Sequence, residues 1–165
     1  SEKEKIRNAV LEAIDKCNLF RLDEGKTLGE KIELNIKSIM QKLDEVEKLD
    51  PARVEKIRSR LKNGVSEFLN SEAIDKNRLE QEIIFYIEKL DINEERVRLK
   101  SHLDYFLSVM KSKESNGKKL GFISQEIGRE INTIGSKAND ADMQKLVVVM
   151  KEELEKIKEQ LNNVL

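Results

Sequence analysis

The chain has 165 residues, of which 38% are charged and 4% aromatic, with one proline, one cysteine and no tryptophan. This length predicts one domain with its own core, and the composition is typical of long exposed helices rather than a β-sandwich or barrel. The sequence has no run of about 18 apolar residues, so we expect no membrane span. The lone Cys17 allows no internal disulfide and fits a reducing cytoplasm.

Charge is distributed unevenly, although the net charge is only −1. Between residues 96 and 119, seven Lys and Arg outnumber two acidic residues, which gives a local charge of +5 and leaves −6 for the remainder. Such a basic segment beside carboxylates is compatible with a phosphodiester ligand. The simpler alternative is a solvated helix surface with a basic loop.

Apolar residues at helical spacing predict three helices in the first 70 residues. The first covers residues 1–20, and a break near residues 22–25 separates it from the second, residues 24–49. The third begins at Asp50-Pro51, where aspartate suits the N-cap and proline the first helical position, and ends near residue 69. The expected buried faces are Ile6, Val10, Ala13, Ile14 and Cys17; Leu28, Ile32, Ile36, Ile39, Leu43 and Val46; and Val54, Ile57, Leu61, Val65 and Phe68.

Two further helices are predicted outside the central hairpin. One begins at Asn70-Ser71 and continues into the hairpin, and the last is capped by Asn139 or Asp140. We expect the cations of the third helix, Arg53, Arg58, Arg60 and Lys62, on a solvated face. The apolar positions are Leu79, Ile83, Ile87 and Leu90 in the first of these helices, and Met143, Leu146, Met150, Leu154, Ile157, Leu161 and Val164 in the last, where they form a heptad-like seam.

Residues 91–140 predict two antiparallel helices around a polar loop at residues 112–118. Each has an apolar stripe, formed by Ile92, Leu99, Leu103, Phe106 and Met110 on the first and by Leu120, Ile123, Ile127, Ile131 and Ile134 on the second. Polar stripes follow the other faces: Asp91, Glu94, Glu95, Arg98 and His102, then Gln125, Glu126, Arg129, Glu130, Thr133, Ser136 and Lys137.

The short loop also fixes which hairpin residues face each other. With a turn centred near residues 115–116, paired positions have numbers that add up to about 232. His102 is then level with Arg129 and Glu130, and Glu95 is level with Lys137. The two polar stripes should therefore meet along one edge of the hairpin.

The runs RLKSHLDYF, GKKLGFISQEIGREINTIGSKANDA and KEELEKIKEQLNN resemble the C-terminal region of the YicC/YloC family of bacterial endoribonucleases. RLDEGKTLGEKI and LDPARVEKIRSRL fit the same family, so the resemblance extends over nearly the whole chain. It implies a C-terminal fragment, because family members carry an N-terminal domain that has no counterpart here. It also implies activity on single-stranded or loop RNA, a stress-induced protein, a homo-oligomer with six subunits as the expected assembly, and contacts with other RNA-degradation proteins.

The polar edge offers groups that could cleave RNA. Our preferred catalytic set is His102, Glu126, Glu130 and Arg129, because RNA cleavage needs proton transfer and a cation near the phosphate. His102, Glu126 and Glu130 could also hold Mg²⁺ or Mn²⁺; Asp91 with Glu95 is the alternative metal site. Glu95 and His102 lie roughly 10 Å apart along one helix and cannot easily share an ion. The expected RNA-binding cations are Arg98, Lys118, Lys119 and Lys137.

Two other interpretations fit the same residues. Glu126 and Glu130 with Arg129, and Glu94 with Arg98, are also ordinary charge pairs at helical spacing. The chain could then be a non-catalytic adaptor in RNA turnover or the stress response, binding RNA or a nuclease through the basic loop. It could equally be a helical module that only assembles the oligomer.

Overall fold

The computed structural model describes residues 2–68, 76–112 and 116–162. Over these ranges the chain forms five helices and no strand, so the predicted all-α fold is confirmed. In the described residues, no helix is both long and apolar enough to cross a membrane. The helices are α1 (Glu2–Phe68), α2 (Lys76–Lys89), α3 (Asn93–Met110), α4 (Gly117–Ala138) and α5 (Ala141–Leu161).

Four of these helices form a closed antiparallel bundle. α1 packs between α3 and α5, and α4 completes the ring by packing against the same two helices, while α2 lies against α1. Arg96 of α3 pairs with Glu47 of α1 at 2.7 Å. At the other end of α3, the charge of Lys111 helps to lower the pKa of Glu33, although the hydrogen bond from Lys37 is the larger cause. These contacts show that α3 runs antiparallel to α1.

The core is built from the predicted apolar seams. The seam of residues 28–46 in α1, both hairpin stripes and the seam of α5 meet in one continuous cluster. At Gly135, a Cβ would lie 3.0 Å from Val147 Cγ1, so α4 and α5 approach closely there. Burial of each large apolar side chain contributes about 1.5–3 kcal/mol. The largest fully buried side chains are Phe106, Ile36, Ile39, Ile92, Leu99, Leu103, Ile127, Ile131, Ile134, Met143, Met150 and Leu154.

Two predicted helix boundaries are wrong, because α1 is one continuous helix of 67 residues. Nothing at residues 22–25 removes a helical hydrogen bond, and Gly25 weakens a helix by only about 1 kcal/mol. Pro51 lies inside α1, where it does remove a backbone donor. The predicted helix start at Asn70-Ser71 and the side chains of Val65, Phe68 and Val164 lie outside the described residues.

Arg53 explains how the helix continues through Pro51. Its side chain is 2% exposed, so the expectation of a solvated cation is wrong. Nε donates to Asp50 Oδ1 at 2.8 Å. Asp50, which the sequence predicted as an N-cap, is therefore an internal residue of α1 that pairs with Arg53. The Nη groups donate to the carbonyl oxygens of Lys137, Ala138 and Leu90 at 3.1, 3.0 and 3.0 Å. One guanidinium therefore joins α1 to the ends of α2 and α4.

The first 26 residues of α1, which we call the arm (residues 2–27), extend beyond the bundle. At 1.5 Å per residue the arm is about 39 Å long, and all of its side chains are exposed. The predicted burial of Ile6, Val10, Ile14 and Cys17 within this chain is therefore wrong, because α5 ends before it reaches them. The exposed large apolar residues of the arm are Ile6, Val10, Leu11, Ile14, Leu19, Phe20 and Leu22.

Replacing Arg53 by methionine should lower the free energy of unfolding by about 3 kcal/mol, because Asp50 and three carbonyl groups lose their donor. Arg58→Met is the control, since Arg58 is exposed on the same helix, and it should change stability by less than about 0.5 kcal/mol. Urea unfolding followed by circular dichroism measures both. Equal stability of the two variants would show that the Arg53 contacts do not hold the bundle together.

Candidate functional site

The hairpin is formed by α3 and α4, as predicted, but its first helix starts two residues later than expected. α2 ends in a turn at Leu90, and Asp91 caps the entry to α3 by accepting from the Asn93 N–H at 3.1 Å. Ile92 is fully buried between the two helices. α2 and α3 are therefore separate helices rather than one that continues into the hairpin.

The register of the hairpin agrees with the prediction. Lys137 Nζ of α4 donates to Glu95 Oε1 of α3 at 2.7 Å and to the Asp91 carbonyl at 3.0 Å. Glu95 is only 6% exposed, and its Oε2 has no hydrogen-bond partner among the described residues. Lys137 is thus anchored within the hairpin, rather than free on its surface as an RNA-binding residue.

The same register places His102 level with Glu130. His102 is half-buried, whereas Glu130 is 5% exposed. In the described part of the chain, no hydrogen bond or ion pair involves the Glu130 carboxylate. Among the described residues, the side-chain oxygen that is both sealed from solvent and without a partner is Glu95 Oε2, and not an oxygen of Glu130. The Glu130 carboxylate therefore reaches solvent on the edge where the sequence predicted catalysis.

The remaining predicted residues lie on the surface of the hairpin. Arg129 is exposed and pairs with Glu126 at 3.3 Å, while Arg98 pairs with Glu94. Both are the short-range helix pairs of the simpler interpretation. Lys119 Nζ lies 5.3 Å from the centre of the Tyr105 ring, a distance suited to a cation–π contact, and Lys118 is exposed near the loop.

The described residues of one chain do not bring together a group of three or more His, Cys, Asp or Glu side chains that could hold a metal ion. His102, Glu126 and Glu130 therefore do not form a complete metal site within one subunit. In the alternative pair, the Lys137 ammonium already supplies the positive charge beside the Glu95 carboxylate, and it also donates to the backbone carbonyl of Asp91. A divalent cation does not fit the single chain as it stands.

Sequence reasoning missed Arg53 and the burial of Glu95. Arg53 lies three residues after Asp50 and seven after Val46, a spacing that continues the buried seam of α1. This pattern could have shown that the guanidinium faces the bundle. For Glu95, the predicted register already placed it level with Lys137 on the facing helix. An ion pair between the two helices could have indicated that Glu95 is buried.

A family model described as "Endoribonuclease YicC-like, C-terminal" matches residues 46–165. The chain belongs to this family. A protein of Clostridioides difficile (strain 630) named "Probable endoribonuclease YicC" is 41% identical over 160 residues, which cover 96% of the chain and 55% of that protein. A protein of the same name from Haemophilus influenzae (strain ATCC 51907 / DSM 11121 / KW20 / Rd) is 33% identical over 142 residues, 86% of the chain and 48% of that protein.

These matches confirm the resemblance to the YicC-like family seen in the hairpin and its flanking helices. The chain spans about half the length of the curated relatives it matches. The matched residues 46–165 contain the Arg53 junction, the hairpin and α5, whereas the arm precedes them. The polar edge of the hairpin thus lies wholly inside the matched region.

A double-mutant cycle with Glu95→Gln and Lys137→Met tests whether this pair fixes the hairpin. We expect a coupling free energy of about 2 kcal/mol, because Lys137→Met leaves the buried Glu95 carboxylate without its cation, whereas the same change beside glutamine leaves no unpaired charge. The exposed pair Glu12 and Lys16 is the control and should show no measurable coupling. Urea unfolding provides the free energies, and additive effects at Glu95 and Lys137 would contradict the assigned role.

Proposed function

We propose that the full-length protein is an endoribonuclease that cuts single-stranded or loop RNA, and that His102 and Glu130 transfer the protons. Membership of the YicC-like family and the names of the two relatives support the reaction class. The observation that carries the assignment of residues is the position of Glu130, whose stem is buried and whose carboxylate has no donor among the described residues, level with the only histidine of the chain.

Cleavage of an RNA phosphodiester requires one oxygen to lose a proton and another to gain one. In this proposal Glu130 accepts the proton from the attacking oxygen, since a carboxylate without a donor is a free acceptor. His102 gives a proton to the leaving oxygen, the general-acid role that an imidazole most often takes in enzymes. Arg129 is exposed beside them and would place positive charge near the phosphate.

The attacking oxygen distinguishes two routes. If the ribose 2′-OH attacks, the new phosphorus–oxygen bond gives a 2′,3′-cyclic phosphate, and the 5′ oxygen leaves with the proton from His102. If water attacks, the product carries a simple phosphate at one end.

The predicted Mg²⁺ or Mn²⁺ remains a proposal for the assembled protein only. His102, Glu126 and Glu130 would contribute ligands there, and a neighbouring subunit or the RNA phosphate would complete the set. None of the proton transfers described above passes through this ion.

RNA cleavage by the full-length protein tests the assignment directly. His102→Ala and Glu130→Gln should each lower kcat/KM at least about 100-fold, the usual contribution of an acid or base. Asp104→Asn removes an exposed carboxylate of α3 and is the control with unchanged rate. The measurement follows a labelled single-stranded RNA with and without chelator, and the product ends identify the attacking oxygen.

Three outcomes separate the competing functions. Unchanged cleavage in both variants would show that the reaction centre lies elsewhere. Absence of cleavage by the pure wild-type protein, together with RNA binding, would favour the adaptor. An assembled protein that neither binds nor cuts RNA would favour the purely structural module.

We further propose that the protein forms a homo-oligomer in which other subunits cover the arm. Helical spacing places Val10 and Ile14 on the side that continues the buried seam of α1, and Leu19 and Phe20 towards the far side. A helix that is apolar on more than one side is usually buried on more than one side. This arrangement is compatible with six subunits.

The exposed thiol of Cys17 also supports a reducing, cytoplasmic location.

Charges placed on the arm should reduce the size of the assembly. For the full-length protein, we expect Val10→Glu with Ile14→Glu to lower the molar mass measured by size-exclusion chromatography with light scattering, because buried carboxylates would oppose association. Asn8→Glu with Lys16→Gln changes the net charge by the same amount on the side of the arm away from Val10 and Ile14, and it should leave the mass unchanged. A mass unaffected by the first pair would exclude the arm from the interface.

A further inference from the structure

A small polar cavity lies where α1 meets the short connection between α4 and α5. Its volume is about 200 Å³, and its walls include Lys56 and Arg60 from α1 together with Asn139, Asp140 and Ala141 from the connection. Sites for drug-sized molecules occupy roughly 300–1,000 Å³, so this cavity suits a smaller group. It is lined by no aromatic residue that could stack on a nucleobase.

The cavity is positively charged at its rim because the carboxylate of Asp140, its acidic lining residue, already accepts hydrogen bonds from α5. Asp140 Oδ1 accepts from the N–H groups of Asp142 and Met143 at 3.0 and 3.1 Å and thereby caps α5. Asp140 Oδ2 lies 4.0 Å from Lys56 Nζ, at the limit of an ion pair. Lys56 is 79% exposed. Its ammonium is therefore available to a ligand at the mouth of the cavity.

Arg60 adds a second cation. It is exposed, and within the described ranges no ion pair or hydrogen bond engages its guanidinium. The other acidic group near Lys56 is Asp142; its pKa is lowered chiefly by the hydrogen bond with Lys145, and Lys56 adds only a weaker effect. Lys145 therefore neutralises Asp142. The two positive charges of Lys56 and Arg60 then exceed the single negative charge of Asp140.

Arg53 forms the floor of the cavity and removes a source of repulsion. The last carbonyl groups of a helix carry partial negative charge, which disfavours anions. Here the carbonyl oxygens of Lys137 and Ala138 at the end of α4 accept from Arg53. The opposite helix end at this point is the N-terminus of α5, whose N–H groups are capped by Asp140, so the attraction for a further anion comes from Lys56 and Arg60.

We propose that this cavity binds a phosphate group of an RNA strand through Lys56 and Arg60. The proposal rests on the function proposed above and extends it, because it adds a contact outside the catalytic edge. Asn139 at the cavity is nine residues from Glu130, about 14 Å along α4. A strand held at both places would cross the open end of the hairpin. The phosphate is either an internal phosphodiester or the 5′ end of the strand.

RNA binding by the full-length protein tests the cavity with a matched pair of variants. Lys56→Ala with Arg60→Ala removes both cations at the cavity, whereas Arg58→Ala with Lys62→Ala removes two exposed cations on the opposite side of the same helix. We expect the first pair to raise KM and the Kd for a 20-nucleotide single-stranded RNA on the order of tenfold, with kcat unchanged. The slope of log K against log salt should fall by about 0.7, the value for one phosphate contact on a single strand.

The control pair should retain the wild-type Kd and salt slope. Oligonucleotides with a 5′-phosphate and a 5′-hydroxyl distinguish the two sources of phosphate. If the cavity variants lose affinity for both, the bound group is an internal phosphodiester; loss for the 5′-phosphate strand alone identifies the terminal group. Equal effects of the cavity pair and the control pair would overturn the proposal while leaving the endoribonuclease function intact.

A separate measurement covers the case in which the wild-type protein neither binds nor cuts RNA, which would refute the proposed function. Inorganic phosphate, compared with chloride at equal ionic strength, should raise the Tm of the wild-type and control proteins more than that of the cavity variant. The same increase in all three proteins would show that the cavity holds no phosphate.

Discussion

The fold depends on a single buried guanidinium at the point where the end of α4 and the turn after α2 meet α1. Arg53 donates to the end of α4, to the turn after α2 and to Asp50 on its own helix. A guanidinium has five donors in a rigid planar fork, so it can satisfy several carbonyl groups from different elements at once. Because α5 begins only three residues after Ala138, this contact also fixes where α5 returns along α1.

From this junction the positions of the hairpin residues follow. Lys137 is next to Ala138 in sequence, and its ammonium reaches Glu95 and the Asp91 carbonyl on the facing helix. Once this pair is set, the helical rise determines the level of every other residue of α3 against α4. Glu130, two turns before Lys137, is then level with His102. The geometry of the proposed catalytic edge therefore depends on the Arg53 junction, although Arg53 contacts none of its residues.

The sequence was sufficient for features governed by periodicity and short loops. The seams of α1, α3, α4 and α5 were predicted because apolar residues recur every three or four positions, and a loop of a few residues fixed the hairpin register well enough to pair Glu95 with Lys137. Local signals failed where distant contacts override them. Asp50-Pro51 has the chemistry of a helix start, yet the contacts of Arg53 with α2 and α4 lie 37 to 85 residues away in sequence. The periodicity of the arm likewise indicates an apolar face without indicating what covers it.

Packing within the described part of the chain gives one buried glutamate of the site, Glu95, a partner, but it gives none to the other, Glu130. Both residues are more than nine-tenths buried on the same edge of the hairpin. Glu95 has a lysine partner that joins two helices, so its burial contributes to a defined structure. Glu130 lacks such a partner among the described residues, and its oxygens are not among the buried atoms without a partner. Glu130 therefore joins no described helices through its carboxylate, and its level with His102 is the basis of the proton-transfer roles proposed above.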